Sequence, residues 1–195
     1  MSRDRLLDTA IKLFLEQGYG NLSLETIVRD ARVSMRTLYD QFGGKAGLFG
    51  AVIKRCSDPF VTVLSEQSPL ENQPEEALVD FARQFLYAIT RPDVVRIRAM
   101  LIGESLRFPD LATQFYEQGP QRTLHHLAQF FARQQQAGYF VDMDPHILAD
   151  QFLSGLRSER FQKLQLGLEP TPDKIEIDTW VRRSTSLFLH GCLSN

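Results

Sequence analysis

Apolar side chains recur at Leu24, Ile27, Val28 and Ala31, the i, i+3, i+4, i+7 spacing that lines one face of a helix. Ser23 precedes them, placed to accept from an unpaired N–H of the first turn, and Glu25 puts negative charge at the positive end of the helix dipole. The stretch ends at Ala31-Arg32-Val33. Ser34 then caps a second short helix whose inward side is Leu38 and Phe42, four residues apart. Upstream, Leu6, Leu7, Ala10, Ile11 and Phe14 form a stripe that stops at Gly18, a candidate left-handed cap. Helices this short need mutual burial, so the pattern predicts a three-helix head with a helix-turn-helix over 23–42.

The remaining chain reads as helix after helix, with no alternating strand pattern. One helix is expected from Lys45 to about Gln67, bent at Pro59, then a loop through Pro74. Glu75 to Thr90 and Val94 to Arg107 follow, and Leu111 to Ala137 should break or kink at Gly119-Pro120. Asp144-Pro145 and Thr171-Pro172 each put a capping residue before a proline, predicting two long closing helices. The first carries Phe152, Leu156, Phe161 and Leu164, with Gly155 offering close approach; the second carries Trp180, Ser184, Leu187 and Phe188. The fold class expected is all-α: a head over 1–50 and a body over 51–195 of about six helices.

With Leu38 and Phe42 turned inward, the second helix of the pair presents Met35, Arg36, Thr37, Tyr39 and Gln41 outward or sideways. These types suit duplex DNA. Arg can donate a bidentate pair to guanine, Gln can pair with adenine, and Met or a Thr methyl can touch a thymine methyl. The Thr37 and Tyr39 hydroxyls suit phosphate oxygens, which set register. Lys45 at a helix start opposes the dipole, and a bound phosphate would resolve that.

The run Ala31, Val33, Ser34, Thr37, Leu38, Tyr39, Phe42, Lys45, with Arg5-Leu6-Leu7-Asp8-Thr9-Ala10 and Phe14 to Gly18-Tyr19 upstream, resembles the head of the TetR family of bacterial transcriptional regulators. The resemblance implies phosphate contacts from Thr37, Tyr39 and Lys45 and base reading from 34–36. The candidate DNA-contacting residues are thus Ser23, Ser34, Met35, Arg36, Thr37, Tyr39, Gln41 and Lys45. Three departures from the family pattern involve four positions. Arg32 stands where the family usually has glycine, which requires either a positive φ or a different turn. Gly47 and Gly50, at ~1 kcal/mol each relative to alanine, would leave the junction between head and body pliable. Asp40 faces a polyanion unless it accepts from cytosine or pairs with a neighbouring Arg.

The resemblance also implies a ligand cavity in the body and a four-helix dimer interface. Candidate pocket residues are Phe81, Phe85, Met100, Glu104, Phe108, Phe115 and Phe130, although a packed core is the default explanation for the large apolar ones. Candidate interface residues are Phe152, Gly155, Leu156, Trp180, Ser184, Leu187 and Phe188. The expected partners are a double-stranded operator, a small apolar or aromatic effector and a second copy of the chain. The rival reading is a helical small-molecule-binding or interaction protein that has no operator.

The formal net charge of −2 over 195 residues argues against indiscriminate coating of nucleic acid. Residues 1–55 carry nine Lys/Arg against six Asp/Glu, and the rest carries thirteen against eighteen, so the positive end is the head. No apolar run approaches a membrane span and no secretory leader is visible, which leads to an expectation of a cytoplasmic protein. Cys56 and Cys192 have no zinc spacing, and Cys56 near the domain junction is a conceivable redox sensor. Without a phosphate loop, metal-ligand spacing or nucleophile motif, neither an enzyme nor a cofactor is expected.

Overall fold

A computed structural model describes residues 2–65 and 67–192, without the side chains of Ser2 and Cys192, so the Cys192 thiol lies outside the described residues. The described residues form helices in the order α1 (Ser2–Gln17), α2 (Leu24–Ala31), α3 (Met35–Phe42), α4 (Lys45–Val61), α5 (Pro74–Ile89), α6 (Pro92–Glu104) and α7 (Pro109–Tyr116). These are followed by α8 (Arg122–Gln136), α9 (Pro145–Leu156), α10 (Glu159–Gln165) and α11 (Lys174–Cys192). The chain divides into two compact units. The first holds the residues up to Cys56 together with Asp93–Pro120, and the second holds Ser57–Pro92 and the chain from Gln121 onward.

In the first unit α1 packs on α2 and α2 on α3. Leu6, Leu7, Ala10, Phe14, Ile27, Ala31 and Leu38 are buried together with Leu48, Phe49 and Val52 of α4. Ile97 and Leu101 of α6 and Leu111 of α7 join the same cluster. The unit therefore contains more than the three-helix head, and the expected boundary at residue 50 falls inside α4.

In the second unit α8 packs on α9, and α11 on α5 and α9. The core is aromatic: Phe60 meets Phe81 and Phe85 at ring-centroid distances of 5.9 and 5.3 Å, and Phe152 meets Phe188 at 4.9 Å. Offset and edge-on pairs of this kind add to area burial. Polar ties fix the helices: Arg133 grips Glu71 through Nε at 2.7 Å and Nη2 at 3.2 Å, and Arg83 of α5 donates to Asp178 of α11 at 2.8 Å.

At four places the structure changes the expected helices or gives them their form. First, α4 ends at Val61, short of Gln67, and passes into a tight turn at Thr62–Leu64; Pro59 has no N–H to continue the ladder. Second, the break or kink expected at Gly119-Pro120 takes the form of a wide π turn at Glu117–Gln121, which interrupts the α-helix between α7 and α8. An i→i+5 turn accommodates the missing proline donor. Third, the expected single helix from Asp144 is two, since Arg157 leaves helical geometry at ψ 53° and α10 begins after Ser158. Asp144 itself caps α9, accepting from the His146 amide at 2.8 Å. Fourth, the last helix starts at Lys174 and not at Thr171-Pro172. Asp173 and Glu176 form a reciprocal capping box, each carboxylate accepting the other's amide at 2.9 Å.

Candidate DNA-reading surface

Both helices of the pair are capped as their sequences require. The Ser23 hydroxyl accepts from the Thr26 amide at 3.2 Å and the Ser34 hydroxyl from the Thr37 amide at 3.0 Å. Between them Arg32 takes the left-handed conformation at φ 53°, ψ 50°. The turn closes with the Val33 amide donating to the Val28 carbonyl at 3.0 Å, the long bond that characterises a left-handed helix end. Of the two alternatives for Arg32, the structure adopts the strained one.

Leu38 is fully buried and anchors α3, so the opposite side of that helix faces out. Arg36, Tyr39 and Gln41 are exposed, whereas Met35 and Thr37 are half-buried; Ser23 and Ser34 are exposed at the two helix starts. Arg36 and Tyr39 stand one helical turn apart and share a face. Asp40 is held by Arg36, whose Nε lies 3.5 Å from Oδ2. With Arg36 90% and Asp40 67% exposed, that pair is a loose one. The Thr37 hydroxyl shares a hydrogen bond with Ser34 at 2.8 Å, which fixes its rotamer at the start of α3.

Lys45 is placed differently from the rest. Its ammonium lies 4.5 Å from the centre of the Tyr19 ring, and partial burial lowers its pKa while the negative charge of Glu104 acts against the shift. Tyr19 is raised, first by burial and then by Asp110 and Glu104. The Lys45 side chain thus folds back over an aromatic ring at the first residue of α4.

Gly47 and Gly50 occupy positions of close approach. A Cβ on Gly47 would stand 1.9 Å from the Phe42 carbonyl oxygen, and one on Gly50 2.3 Å from the Gln114 amide oxygen. Both glycines therefore stand where the chain packs closely around the start of α4.

The seven candidate pocket residues divide between the two units. Phe81, Phe85 and Phe130 are buried in the second. Met100, Phe108 and Phe115 pack against the first unit's apolar cluster, and the Glu104 carboxylate accepts from the Tyr19 and Gly20 amides. Sequence reasoning missed this role of Glu104, which spans 84 and 85 residues of chain and leaves no local signature. Among the candidate interface residues, Phe152, Leu156 and Trp180 are buried within the chain's own core. Gly155 is exposed, Ser184 and Phe188 are half-exposed, and Leu187 is 80% exposed.

A capped helix pair with a buried inner side and a polar outer one, carried by an all-α chain, defines the helix-turn-helix class. Sequence comparisons fix the family. Residues 6–52 match the model described as "Bacterial regulatory proteins, tetR family", and residues 76–191 match "AefR-like transcriptional repressor, C-terminal domain". The chain belongs to the TetR family, a family of transcriptional regulators rather than enzymes.

Among solved structures, the flavonoid-responsive regulator FrrA is 34% identical, covering 100% of this chain and 98% of that one at a TM-score of 0.76. A TetR-family regulator from Mesorhizobium loti shares the fold at a TM-score of 0.79 and 24% identity, over 99% and 97% of the two chains. Among curated proteins, the repressor ComR of Escherichia coli is 37% identical over 47% of this chain and 44% of its own. The negative regulator IcaR of the biofilm operon icaADBC in Staphylococcus aureus is 28% identical over 45% and 47%. The chain spans about half the length of the curated relatives it matches. No helix among the described residues is long and apolar enough to cross a membrane.

Proposed function

We propose that this chain is a ligand-responsive transcriptional repressor that binds a palindromic operator as a homodimer in the bacterial cytoplasm. The observation that carries the reading is α3: Leu38 anchors it, and Arg36, Tyr39 and Gln41 stand exposed together with the ends of the capped pair. Arg36 and Gln41 are the base readers. Ser34 and Met35 lie beside them, and Ser23, Thr37, Tyr39 and Lys45 take phosphate. For Lys45 this means leaving the Tyr19 ring for a phosphate oxygen.

One short helix reads few base pairs, so a second copy must supply the other half-site, with the two α3 helices ~34 Å apart or a larger multiple. The surface-reaching residues Gly155, Ser184, Leu187 and Phe188 of α9 and α11 form the dimer contact, backed by the buried Phe152, Leu156 and Trp180. The effector is an apolar or aromatic molecule. Support comes from the full-length likeness to a flavonoid-responsive regulator and from the aromatic second unit, with Phe81, Phe85 and Phe130 as its candidate contacts. A coupling of ~1–3 kcal/mol would change operator affinity about 5- to 150-fold.

Selection of bound sequences from random DNA tests the reading, and enrichment of an inverted repeat is expected. Titration of the selected complex with a panel of flavonoids tests the effector class. No enrichment of any sequence by the intact dimer would contradict the assignment and favour a helical binding protein without an operator.

A further inference from the structure

Glu104 is the last residue of α6, the end of a helix where the dipole disfavours a carboxylate. Its position is explained by what it meets. One carboxylate oxygen accepts from the Tyr19 amide at 3.0 Å and the other from the Gly20 amide at 2.6 Å, so successive N–H groups of the corner between α1 and α2 form an anion cradle filled from within the protein. The corner is shaped for this. A Cβ on Gly18 would lie 2.9 Å from one oxygen and a Cβ on Gly20 2.9 Å from the other, and Phe108 meets the Tyr19 ring edge-on at 5.4 Å. The residue whose ring carries Lys45 is thus held at its backbone amide by the same carboxylate.

We propose that Glu104 is a positioning residue for operator recognition, clamping the corner between α1 and α2 so that the three head helices, α6 and α7 reorient as one body. Charged hydrogen bonds are the strong ones, and this pair ties α6 to the backbone of that corner, while Arg96 of α6 donates to the Leu15 carbonyl of α1 at 3.3 Å. A displacement of α6 then reaches α3 through the corner as well as through α4. The operator half of the proposal rests on the function given above.

The test uses the full chain and the variants Glu104→Ala and Glu104→Gln. Amide hydrogen exchange is followed at Tyr19 and Gly20, alongside affinity for the selected operator and helical content by circular dichroism. Loss of the charged acceptor should speed exchange at these two amides about 10- to 150-fold in Glu104→Ala. Operator affinity should fall about fivefold or more. Glu104→Gln, with one carbonyl acceptor and no charge, should recover part of both effects, and it decides the matter if the alanine variant loses helical content.

Unchanged exchange at both amides overturns the clamp. Fast exchange with unchanged operator affinity overturns the positioning role. If the wild-type chain enriches no DNA, the regulator reading and the operator half fall together, whereas the exchange rates still decide for or against the clamp.

Discussion

Gly47 of α4 lies so close to Phe42 of α3 that a Cβ there would stand 1.9 Å from the Phe42 carbonyl oxygen. Backbone cannot yield as a side-chain tip can, so α4 must separate from the end of α3 to admit even a methyl group. In an ordinary helix interior alanine is favoured over glycine by about 1 kcal/mol. Here Gly47→Ala should instead destabilise, by about 1–3 kcal/mol, the usual range for overpacking. Gly50→Ala is the control, because its obstacle is the movable Gln114 side chain. Denaturant unfolding of the two variants should rank Gly47→Ala clearly the worse, and equal stabilities would show that the contact relaxes freely.

Arg32 holds a positive φ that costs a non-glycine residue about 1–2 kcal/mol. Arg32→Gly should therefore raise the thermal midpoint, with a net gain of about 0.5–1 kcal/mol after glycine's larger unfolded-state entropy. A lowered midpoint would mean that Arg32 makes compensating contacts stronger than its strain.

Arg36 is almost wholly exposed and its ion pair with Asp40 is solvated, so its removal should alter stability by less than about 0.5 kcal/mol. Its effect belongs to DNA. Arg36→Ala should cost about 1–3 kcal/mol of operator affinity and relax preference at one base pair of each half-site. Affinity lost equally for all sequences would reassign Arg36 to the phosphate backbone.

His126 has its pKa lowered from 6.5, first by burial and then by the positive charges of Arg122, His125 and Arg133, with Asp58 opposing. Below pH ~6.5 the unfolded chain binds a proton that the folded chain resists. The neutral histidine's contribution is therefore complete above that pH and is lost as pH falls toward the folded value. Unfolding curves at about pH 7.5 and 5.5 should show a drop in stability that is smaller in His126→Gln. An identical drop in both proteins would place the sensitivity elsewhere.

Much of the head was legible because its signals are local. Ser23, Ser34 and the spacing of Leu24, Ile27, Ala31 and Leu38 each act within one or two turns; the serines reappear as caps, Ile27, Ala31 and Leu38 as buried positions and Leu24 as a partly buried one. The body was legible as helices but not at its ends. Asp173, rather than Thr171, starts α11 because Glu176 answers it with a reciprocal bond, and the stop at Arg157 has no proline or glycine after it to announce it, Gly155 lying within the helix. Glu104 was illegible in principle: an isolated carboxylate in an apolar stretch reads as a pocket group, and only the fold brings it to Tyr19 and Gly20. Gly47 reads as helix weakness until the Phe42 carbonyl is seen beside it.

A footprint on the DNA selected by the intact chain tests the central claim most directly. The account predicts protection of two half-sites related by a dyad, their centres one helical turn or a multiple apart, and in Arg36→Ala, with helical content intact, a shift of both protections together to about 5- to 150-fold higher protein concentration. Protection of a single half-site by a monomer, or binding that survives removal of Arg36, Tyr39 and Gln41, would contradict it.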